Sequence, residues 1–425
     1  MTFQGHSRNT GRSLAALLRY CPESLEFLRI DYPTIDNHVD TIHWQLPGAP
    51  NNLNTSEERL RQFWRDAPST NIRTLQMPGS VRCNEFLTII PFLRHRCPKL
   101  VTWGPVPTMR PTIGLDLAEV LRGHCLKLEN LEFHDLLADM LPLYSQIIMA
   151  CHALKSLTIT GSVNDGRDVV RAAVQYHAKT LAKVRWTGDG GFHGGMDLEA
   201  FLSGCSSLER VETTYGATNN FFTGQGAAGA MRIKSKALPT PSPGQPPLHF
   251  WACHATLTHL DVTFCPQGDI SDVQELRKQV DLTYRKLGQL CALVELRLGC
   301  RCRCEGPTLV RCSHFRYNAV NGAQEIMDNY SVWEDDVILN MSLESGLGHL
   351  SGLKRLQFLS IARIQGHKIG YAELEWMRDN WRQLQVLCGV RNMRIVEWAR
   401  RNWAGVRVSY LDSNRAVEVA MAGAM

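Results

Sequence analysis

The chain of 425 residues contains no long hydrophobic run. Its most apolar stretch, residues 140–152, is shorter than the roughly 20 residues that a membrane-spanning helix needs, and Pro142 interrupts it. The N-terminal segment lacks the apolar core of a secretion signal. These absences predict a soluble protein in the cytoplasm or the nucleus, with no membrane among its partners.

The sequence also lacks the motifs of common enzyme classes, with no hydrolase elbow, H-E-x-x-H pair, P-loop or kinase signature. The letters from Gly224 to Gly229 match the dinucleotide fingerprint, but that site needs a buried strand before it and an acid about 20 residues after it. No Asp or Glu lies between Glu212 and Asp261. The segment therefore predicts a flexible loop, and the chain predicts neither an enzyme nor a bound cofactor.

The 15 histidines are scattered along the chain and form no ligand motif. His152, His177 and His254 lie in the turns before predicted strands. At such positions we expect hydrogen-bonded structural roles rather than catalysis.

Positive and negative residues are balanced along most of the chain, and an excess of positive charge occurs only near the C-terminal end. Lys and Arg number 46 against 41 Asp and Glu, which gives a net charge of +5. Residues 376–407 hold seven Arg against Asp379 and Glu397, so seven minus two accounts for the whole excess. A neutral remainder argues against a nucleic-acid partner. The arginines predict a solvated surface, with phosphate or acidic-partner binding as the alternative. Four tryptophans among them predict a terminal core: Trp376, Trp381, Trp398 and Trp403.

A repeat is the strongest pattern in the sequence. Each copy has an apolar helical segment, a Cys or another small turn residue, and then Leu-x-x-Leu-x-Leu/Ile. From Leu75 to Val211 the central strand residues recur at steps of 28, 28, 26, 27 and 27 residues. The predicted central residues are Leu28, Leu75, Trp103, Leu131, Leu157, Val184, Val211, Leu260, Leu296, Leu356 and Leu387, and weakly Val406.

This repeat predicts a stacked architecture. Alternate strand residues point to opposite faces, and segments such as residues 117–121 and 147–151 have helical apolar spacing. One helix–strand pair cannot bury its own apolar face, whereas stacked pairs form a continuous core. We therefore expect an α/β solenoid of curved right-handed helix–strand repeats, with a parallel sheet on the concave face. It would form a single domain over residues 1–425, with about 12 irregular repeats from about 14 to 410 and a tail at 411–425.

Seven of the 14 cysteines recur two to four residues before the first strand Leu, which predicts reduced, buried thiols rather than disulfides. The recurrence resembles the cysteine-containing leucine-rich repeats of F-box proteins, and Cys265 fits that class's end-of-strand Cys. The other repeats depart from the class because they lack Asn or Cys there. The segment from Glu373 to Trp403 looks like the ending of fungal F-box/leucine-rich-repeat proteins. The seven recurring cysteines before the strands are Cys21, Cys97, Cys125, Cys151, Cys205, Cys253 and Cys291.

The resemblance covers nearly the whole chain from about Leu14. It implies a leucine-rich-repeat solenoid whose concave face holds a protein substrate for ubiquitination, while an F-box docks on a cullin–RING ligase. An F-box is a three-helix segment that precedes the repeats, and a first repeat at Leu14 leaves no room for one. We therefore expect substrate recognition alone, with a cullin–RING adaptor as partner only if an F-box lies upstream.

Three inserts interrupt the period, and all of them follow strands. Residues 31–56 predict a loop. Residues 214–247 predict a flexible loop, because they are rich in Gly, Pro and Ser and contain no Asp or Glu. Residues 299–346 hold a cysteine cluster and then a more ordered stretch around Trp333. Loops on a rigid scaffold often carry function, and tolerated surface insertion is the alternative.

The cysteine cluster of the third insert offers ligand chemistry for zinc. Its C-x-C-x-C spacing differs from the usual paired C-x₂₋₄-C knuckles. If the preceding strand continued, its period of two would place three of these cysteines on one inward face. The sequence therefore favours thiols and no metal, with zinc as the alternative. The residues concerned are Cys300, Cys302, Cys304, Cys312 and His314.

Polar, charge-mixed residues flank the central residue of successive strands on the concave face. Such a surface suits a protein partner better than an apolar small molecule. For any one residue, an ordinary solvated strand position is the plainer interpretation. The residues expected to bind the partner are Lys183, Arg185, Arg210, Glu212, His259, Asp261, Glu295 and Arg297.

The most economical function is a non-enzymatic protein-interaction module. By resemblance it would be the substrate-recognition part of an F-box-type ubiquitin ligase receptor. The alternative is a leucine-rich-repeat scaffold or regulator unrelated to ubiquitination, such as a partner of a small GTPase or a kinase.

Overall fold

The computed structural model describes the chain in segments that leave out most of the predicted inserts. Contacts divide the chain into two compact units: unit 1 is residues 1–194 with 215–223, and unit 2 is residues 195–214 with 224–425. Among the described residues, no helix combines the length and apolar character that a membrane crossing requires. The described residues are 2–4, 18–31, 65–77, 83–106, 111–134, 140–160, 167–187, 198–214, 230–231, 251–264, 273–300, 339–364 and 367–410.

Unit 1 is a parallel sheet in which, from the third strand onward, a helix lies between successive strands. The strands are hydrogen-bonded in chain order, and every described pair is parallel. Its elements are β1 (Thr2–Gln4), β2 (Phe27–Asp31), β3 (Thr74–Gln76), α1 (Cys83–Arg96), β4 (Thr102–Val106), α2 (Pro111–His124), β5 (Asn130–His134), α3 (Leu141–Ala150), β6 (Ser156–Thr160), α4 (Arg167–His177) and β7 (Lys183–Thr187).

Unit 2 repeats this plan. Its strands are ordered β8–β10–β11–β12–β13–β14, with the short β9 beside β10, and all described pairs are parallel. Its elements are α5 (Leu198–Gly204), β8 (Arg210–Thr214), β9 (Ala230–Met231), β10 (His259–Phe264), α6 (Val273–Gly288), β11 (Glu295–Cys300), a 3₁₀ helix (Leu347–Gly352), β12 (Phe358–Ile364), α7 (Tyr371–Asn380), β13 (Val386–Cys388), α8 (Met393–Asn402) and β14 (Arg407–Ser409).

The predicted α/β repeat architecture with a parallel sheet is confirmed. In unit 1, Leu75, Trp103, Leu131, Leu157 and Val184 pair in register from β3 to β7, and all five are at most 2% exposed. The strand residues that alternate with them are half-buried or exposed, apart from the buried Gly104, so helices cover one face of the sheet and the other carries polar side chains. That second surface is called the strand face below.

The register of two predicted strands in unit 2 is wrong. Leu296 pairs with Leu359, not with Leu356, so the real central residue lies three positions later, and the predicted core residue Phe358 lies on the strand face. Overlapping Leu-x-x-Leu patterns at Leu353 and Leu356 caused this error, because both leucines are buried in the turn before the strand. In β14 the central residue is likewise Val408 instead of Val406.

Three predicted boundaries also change. A strand precedes the first predicted repeat, because β1 pairs with β2. Ala230 and Met231 lie in the predicted loop 214–247, yet they pair with β10. The predicted insert 299–346 ends in packed structure, where Leu339 and Met341 are buried. Residues 32–56, Trp333 and the segment from Gly224 to Gly229 lie outside the described residues.

Met341 shows why the end of this insert is packed. The Tyr284 hydroxyl accepts a hydrogen bond from the Met341 amide at 2.9 Å and lies 3.7 Å from its sulfur. Tyr284 is itself fully buried on α6. This contact fixes Met341, in the described part of the chain before β12, against α6, although no repeat motif marks it.

Gly389, directly after β13, and Gly405, in the turn before β14, adopt a positive φ. Gly389 has a φ of 91°, and a Cβ placed there would lie 2.4 Å from the Ala362 backbone. Gly405 has a φ of 87°, but nothing lies within 4 Å of the same position. The two sites therefore share a left-handed conformation and differ in steric room.

We expect Gly389→Ala to lower the free energy of unfolding by about 3 kcal/mol or more, since backbone strain and a clash add together. Gly405→Ala carries the strain alone and is expected to cost about 1 kcal/mol. Urea unfolding of both variants beside the parent measures the difference. Equal losses would mean that the close approach to Ala362 carries no energetic weight.

Candidate functional site

The eight predicted partner-binding residues fall in two groups. Lys183 and Arg185 lie on β7 in unit 1, and both are exposed. The other six lie on β8, β10 and β11 in unit 2, where they occupy adjacent positions of one strand face. Since the two groups belong to different units, the candidate site is built from unit 2 alone.

The register of unit 2 arranges the six residues in two rows. Arg210, His259 and Glu295 are aligned across β8, β10 and β11. Glu212, Asp261 and Arg297 form the second row in the same register. Neighbouring strands in a sheet are about 4.8 Å apart, so side chains within each row are within mutual reach.

Most of these charges are paired within the site. The Nε of Arg210 donates to Oε1 of Glu212 on the same strand. The Nε of Arg297 donates to Oε1 of Glu295 at 2.6 Å. His259 Nε2 lies 3.7 Å from the other carboxylate oxygen of Glu295. On the other side of the same ring, His259 Nδ1 lies 2.7 Å from the Thr258 hydroxyl. The site is therefore a network of charges rather than a set of solvated side chains.

Arg297 is the most constrained cation of this network. Its guanidinium carbon lies 4.9 Å from the centroid of the Phe358 ring, which is a cation–π contact. Only 27% of the Arg297 side chain and 22% of the Glu295 side chain are exposed, compared with 46% for Arg210. The burial and the two contacts fix the guanidinium plane before any ligand arrives.

Phe358 is the member of the site that the sequence did not reveal. The repeat pattern assigned it to the core, because it follows Leu356 at the spacing of a strand residue. Its position on β12 directly opposite Glu295 gives it the role of a platform for Arg297. The signal that would have found it is the second pattern, Leu356-x-x-Leu359-x-Ile361.

Arg297 gives the network the chemistry of an anion-binding site. A guanidinium carries five N–H donors, and the described contact of Arg297 with Glu295 uses its Nε. The remaining donors form a planar fork that matches a carboxylate or a phosphate group. The Thr258 hydroxyl that lies beside His259 donates to the Glu209 carbonyl at 3.0 Å, so it is bound to the backbone of the neighbouring strand.

Six of the seven repeat cysteines are buried, as predicted, but Cys291 is exposed. In four of them burial raises the pKa of the thiol to about 12, so these thiols remain protonated. Three of the four begin a tight turn, as when the Leu128 amide donates to the Cys125 carbonyl at 3.1 Å, whereas after Cys151 the Leu154 amide donates to His177. The prediction fails at Cys291 because its turn leaves the side chain open. The four cysteines whose thiol pKa is raised to about 12 are Cys125, Cys151, Cys205 and Cys253.

The predicted cysteine cluster falls largely outside the described part of the chain. Cys300 ends β11, and residues 301–338 are not described. Among the described residues, no group of three His, Cys, Asp or Glu side chains is placed to hold a metal ion. The choice between thiols and zinc therefore stays a prediction.

The structural roles predicted for three histidines are confirmed. His152 Nε2 lies 2.9 Å from the Arg122 carbonyl, and His254 Nδ1 lies 3.1 Å from the Trp251 carbonyl. His177 is buried, with Nε2 2.9 Å from the Ile148 carbonyl and Nδ1 accepting the Leu154 amide at 3.3 Å. Burial lowers the pKa of His177, and this pair of contacts requires the neutral ring.

The tryptophan and arginine predictions for the end of unit 2 are confirmed in part. Trp381 and Trp403 are buried, whereas Trp376 and Trp398 are half-buried at the surface of α7 and α8. All seven arginines of the segment are exposed: Arg378, Arg382, Arg391, Arg394, Arg400, Arg401 and Arg407.

Comparison of the chain with known protein families finds no match. A search of curated proteins finds none that matches either.

Thiol labelling tests the cysteine assignment. At pH 8 a thiol with a pKa near 12 is about one part in ten thousand thiolate, so Cys125 and Cys151 should react far more slowly than Cys291. Site-resolved mass spectrometry after iodoacetamide treatment measures each rate. In urea all three should react alike, and equally fast labelling of Cys151 and Cys291 in the folded protein would contradict the burial of this turn.

His177 predicts a dependence of stability on pH. The pKa of His177 in the folded state lies below the ordinary 6.5, so over this pH range His177 binds a proton more readily in the unfolded chain than in the folded protein. The free energy of unfolding should therefore fall as the pH drops below 6.5. The variant His177→Gln should be less stable at pH 7.5 and lose less stability between pH 7.5 and pH 5.5 than the parent. Equal losses in urea titrations would show that His177 is not the titrating group.

Proposed function

We propose that this protein is a non-enzymatic protein-interaction module of the leucine-rich-repeat type, and that the strand face of unit 2 holds its partner. The observation that supports this function is the fixed guanidinium of Arg297 on Phe358 and Glu295. Arginine and aromatic residues in partly buried positions are the usual anchors of protein interfaces.

The energetics of the site support a protein partner. Ordering a flexible arginine on binding costs about 0.5–1.5 kcal/mol, and a side chain already fixed by its neighbours avoids much of this cost. The network also contains both signs of charge, with Glu212, Asp261 and Glu295 beside Arg210 and Arg297. A partner must match this pattern, so the site selects by charge arrangement as well as by shape.

The finer proposal comes from the resemblance described above. We propose that the bound partner is a substrate of an F-box-type ubiquitin ligase receptor and that this chain supplies substrate recognition. Docking on the cullin–RING ligase belongs to the F-box of that class, so it is not assigned to the repeats. A scaffold or regulator with the same strand face but without ligase partners is the alternative.

The double variant Arg210→Ala and Arg297→Ala tests the strand face. It removes both guanidinium forks from exposed or half-buried positions, so little packing should be lost. We expect partners captured by the tagged protein to fall at least about tenfold, because truncating anchor residues commonly costs 2 kcal/mol or more. Quantitative mass spectrometry of the captured proteins gives the ratio to the parent.

The matched control removes two arginines from helices of unit 1, Arg122→Ala and Arg171→Ala, both exposed. It should retain the partners that the first variant loses. Equal recovery with both variants would reject the strand face. If partners depend on Arg297 but carry no ubiquitin, and no cullin–RING adaptor accompanies the full natural gene product, the scaffold alternative replaces the ligase proposal.

A further inference from the structure

The outer side of α8 carries a second unusual surface, separate from the strand face. The helix begins at Asn392, whose side chain accepts the Arg394 amide at 3.0 Å. Ile395, Val396 and Ala399 are buried beneath it. The helical period then places Arg394, Trp398 and Arg401 along the opposite side, at positions i, i+4 and i+7.

The arginines of this side form no ion pair among the described residues. Of the seven arginines between residues 376 and 407, only Arg378 forms a described ion pair, with Asp379 at 3.2 Å. Glu397 is the one acid between residues 382 and 407. The formal net charge of this segment equals that of the whole protein, so the segment attracts acidic molecules.

Aromatic and apolar groups lie among these charges. The ring of Trp398 packs edge-on against Tyr371 of α7, with centroids 5.6 Å apart. Tyr371 is 47% exposed and Met393 is 46% exposed, so apolar side chains border the arginines of this helix. We name the set Tyr371, Met393, Arg394, Trp398 and Arg401 the arginine surface.

We propose that the arginine surface is a second docking site, and that its occupant is an acidic segment of a partner protein that also carries an aromatic or aliphatic side chain. Arg394 and Arg401 are seven residues apart, which is about 10 Å along a helix. An extended peptide spans that distance in about three residues. Two acids at this spacing can reach both guanidinium groups, while an apolar residue between them meets Trp398.

A nucleic acid fits this surface less well. Glu397 lies on the same side of α8 between Arg394 and Arg401 along the helix, where the evenly spaced charges of a phosphate backbone cannot avoid it, whereas a peptide can place an uncharged residue there. The basic segment is short, and the rest of the chain is neutral, so no long track of positive charge follows it. In a protein complex, by contrast, Glu397 can pair with a basic residue of the partner.

The test compares two charge reversals of equal size. Arg394→Glu with Arg401→Glu changes the arginine surface, and Arg122→Glu with Arg171→Glu changes helices of unit 1 by the same net charge. The probes are a fluorescent peptide of sequence Glu-Asp-Glu-Phe-Glu-Asp-Glu and a single-stranded DNA of equal charge. Fluorescence anisotropy at 0.15 M salt gives the dissociation constants. We expect the first variant to weaken peptide binding at least tenfold, the control to change it less than twofold, and the DNA to bind the parent more weakly than the peptide does.

Three results would overturn the proposal. No measurable peptide binding to the parent would reject the site, and equal loss in both variants would reduce it to bulk charge. Tighter binding of the DNA, lost in the first variant, would make it a nucleic-acid surface. If the charge reversal lowers the melting temperature, the pair Arg394→Gln and Arg401→Gln gives the same comparison with less perturbation. The strand-face variant Arg210→Ala with Arg297→Ala should bind the peptide with the affinity of the parent. The arginine surface and the strand face are therefore tested independently of each other.

Discussion

Most of the described repeats are joined to the one before by a carbonyl group that accepts two successive amide hydrogens. The Glu129 carbonyl, for example, accepts the amides of Lys155 and Ser156 at 2.7 and 3.0 Å. A one-residue slip would break this pair and turn every strand side chain to the opposite face. The buried leucines and the charged network on the other face therefore depend on the same contact. The carbonyls that serve two amides belong to Glu26, Arg73, Val101, Glu129 and Lys155 in unit 1, and to Glu209, Thr258, Val294 and Gln357 in unit 2.

The turns that precede the strands pose the complementary problem, because helix ends leave carbonyl groups without partners. Arg96 solves it in unit 1 by donating to the carbonyls of Pro68, Leu18, Arg19 and Cys21, although its side chain is only 1% exposed. Four carbonyl groups solvate this buried cation in place of water, and the described contacts include no carboxylate. A lysine would offer fewer donors and no planar fork, so the arginine is specific to this junction.

Sequence periodicity was sufficient for the architecture and insufficient for several details. It located the buried positions from Leu75 to Val184, because a stacked repeat constrains every copy in the same way. It failed at Phe358, where two overlapping leucine patterns compete, and at Met341, whose contact with Tyr284 is made once and leaves no repeat. It also missed the exposure of Cys291, since a shared motif position does not fix how a single turn is covered. The charge pattern of the strand face was visible in the sequence, whereas the pairing of Arg297 with Glu295 required the register.

The two proposed surfaces of unit 2 use arginine in opposite ways. On the strand face, Arg210 and Arg297 are held by acids of the same strand, so the local field is weak and recognition depends on geometry. On α8, Arg394 and Arg401 have no described acidic partner, so their field extends outward to about the Debye length of 8 Å at physiological salt. A paired network gives selectivity with little long-range attraction, and an unpaired one gives fast encounter with little selectivity. A partner that presents an acidic segment beside a folded, charge-matched face would use both, because the first contact raises the effective concentration for the second.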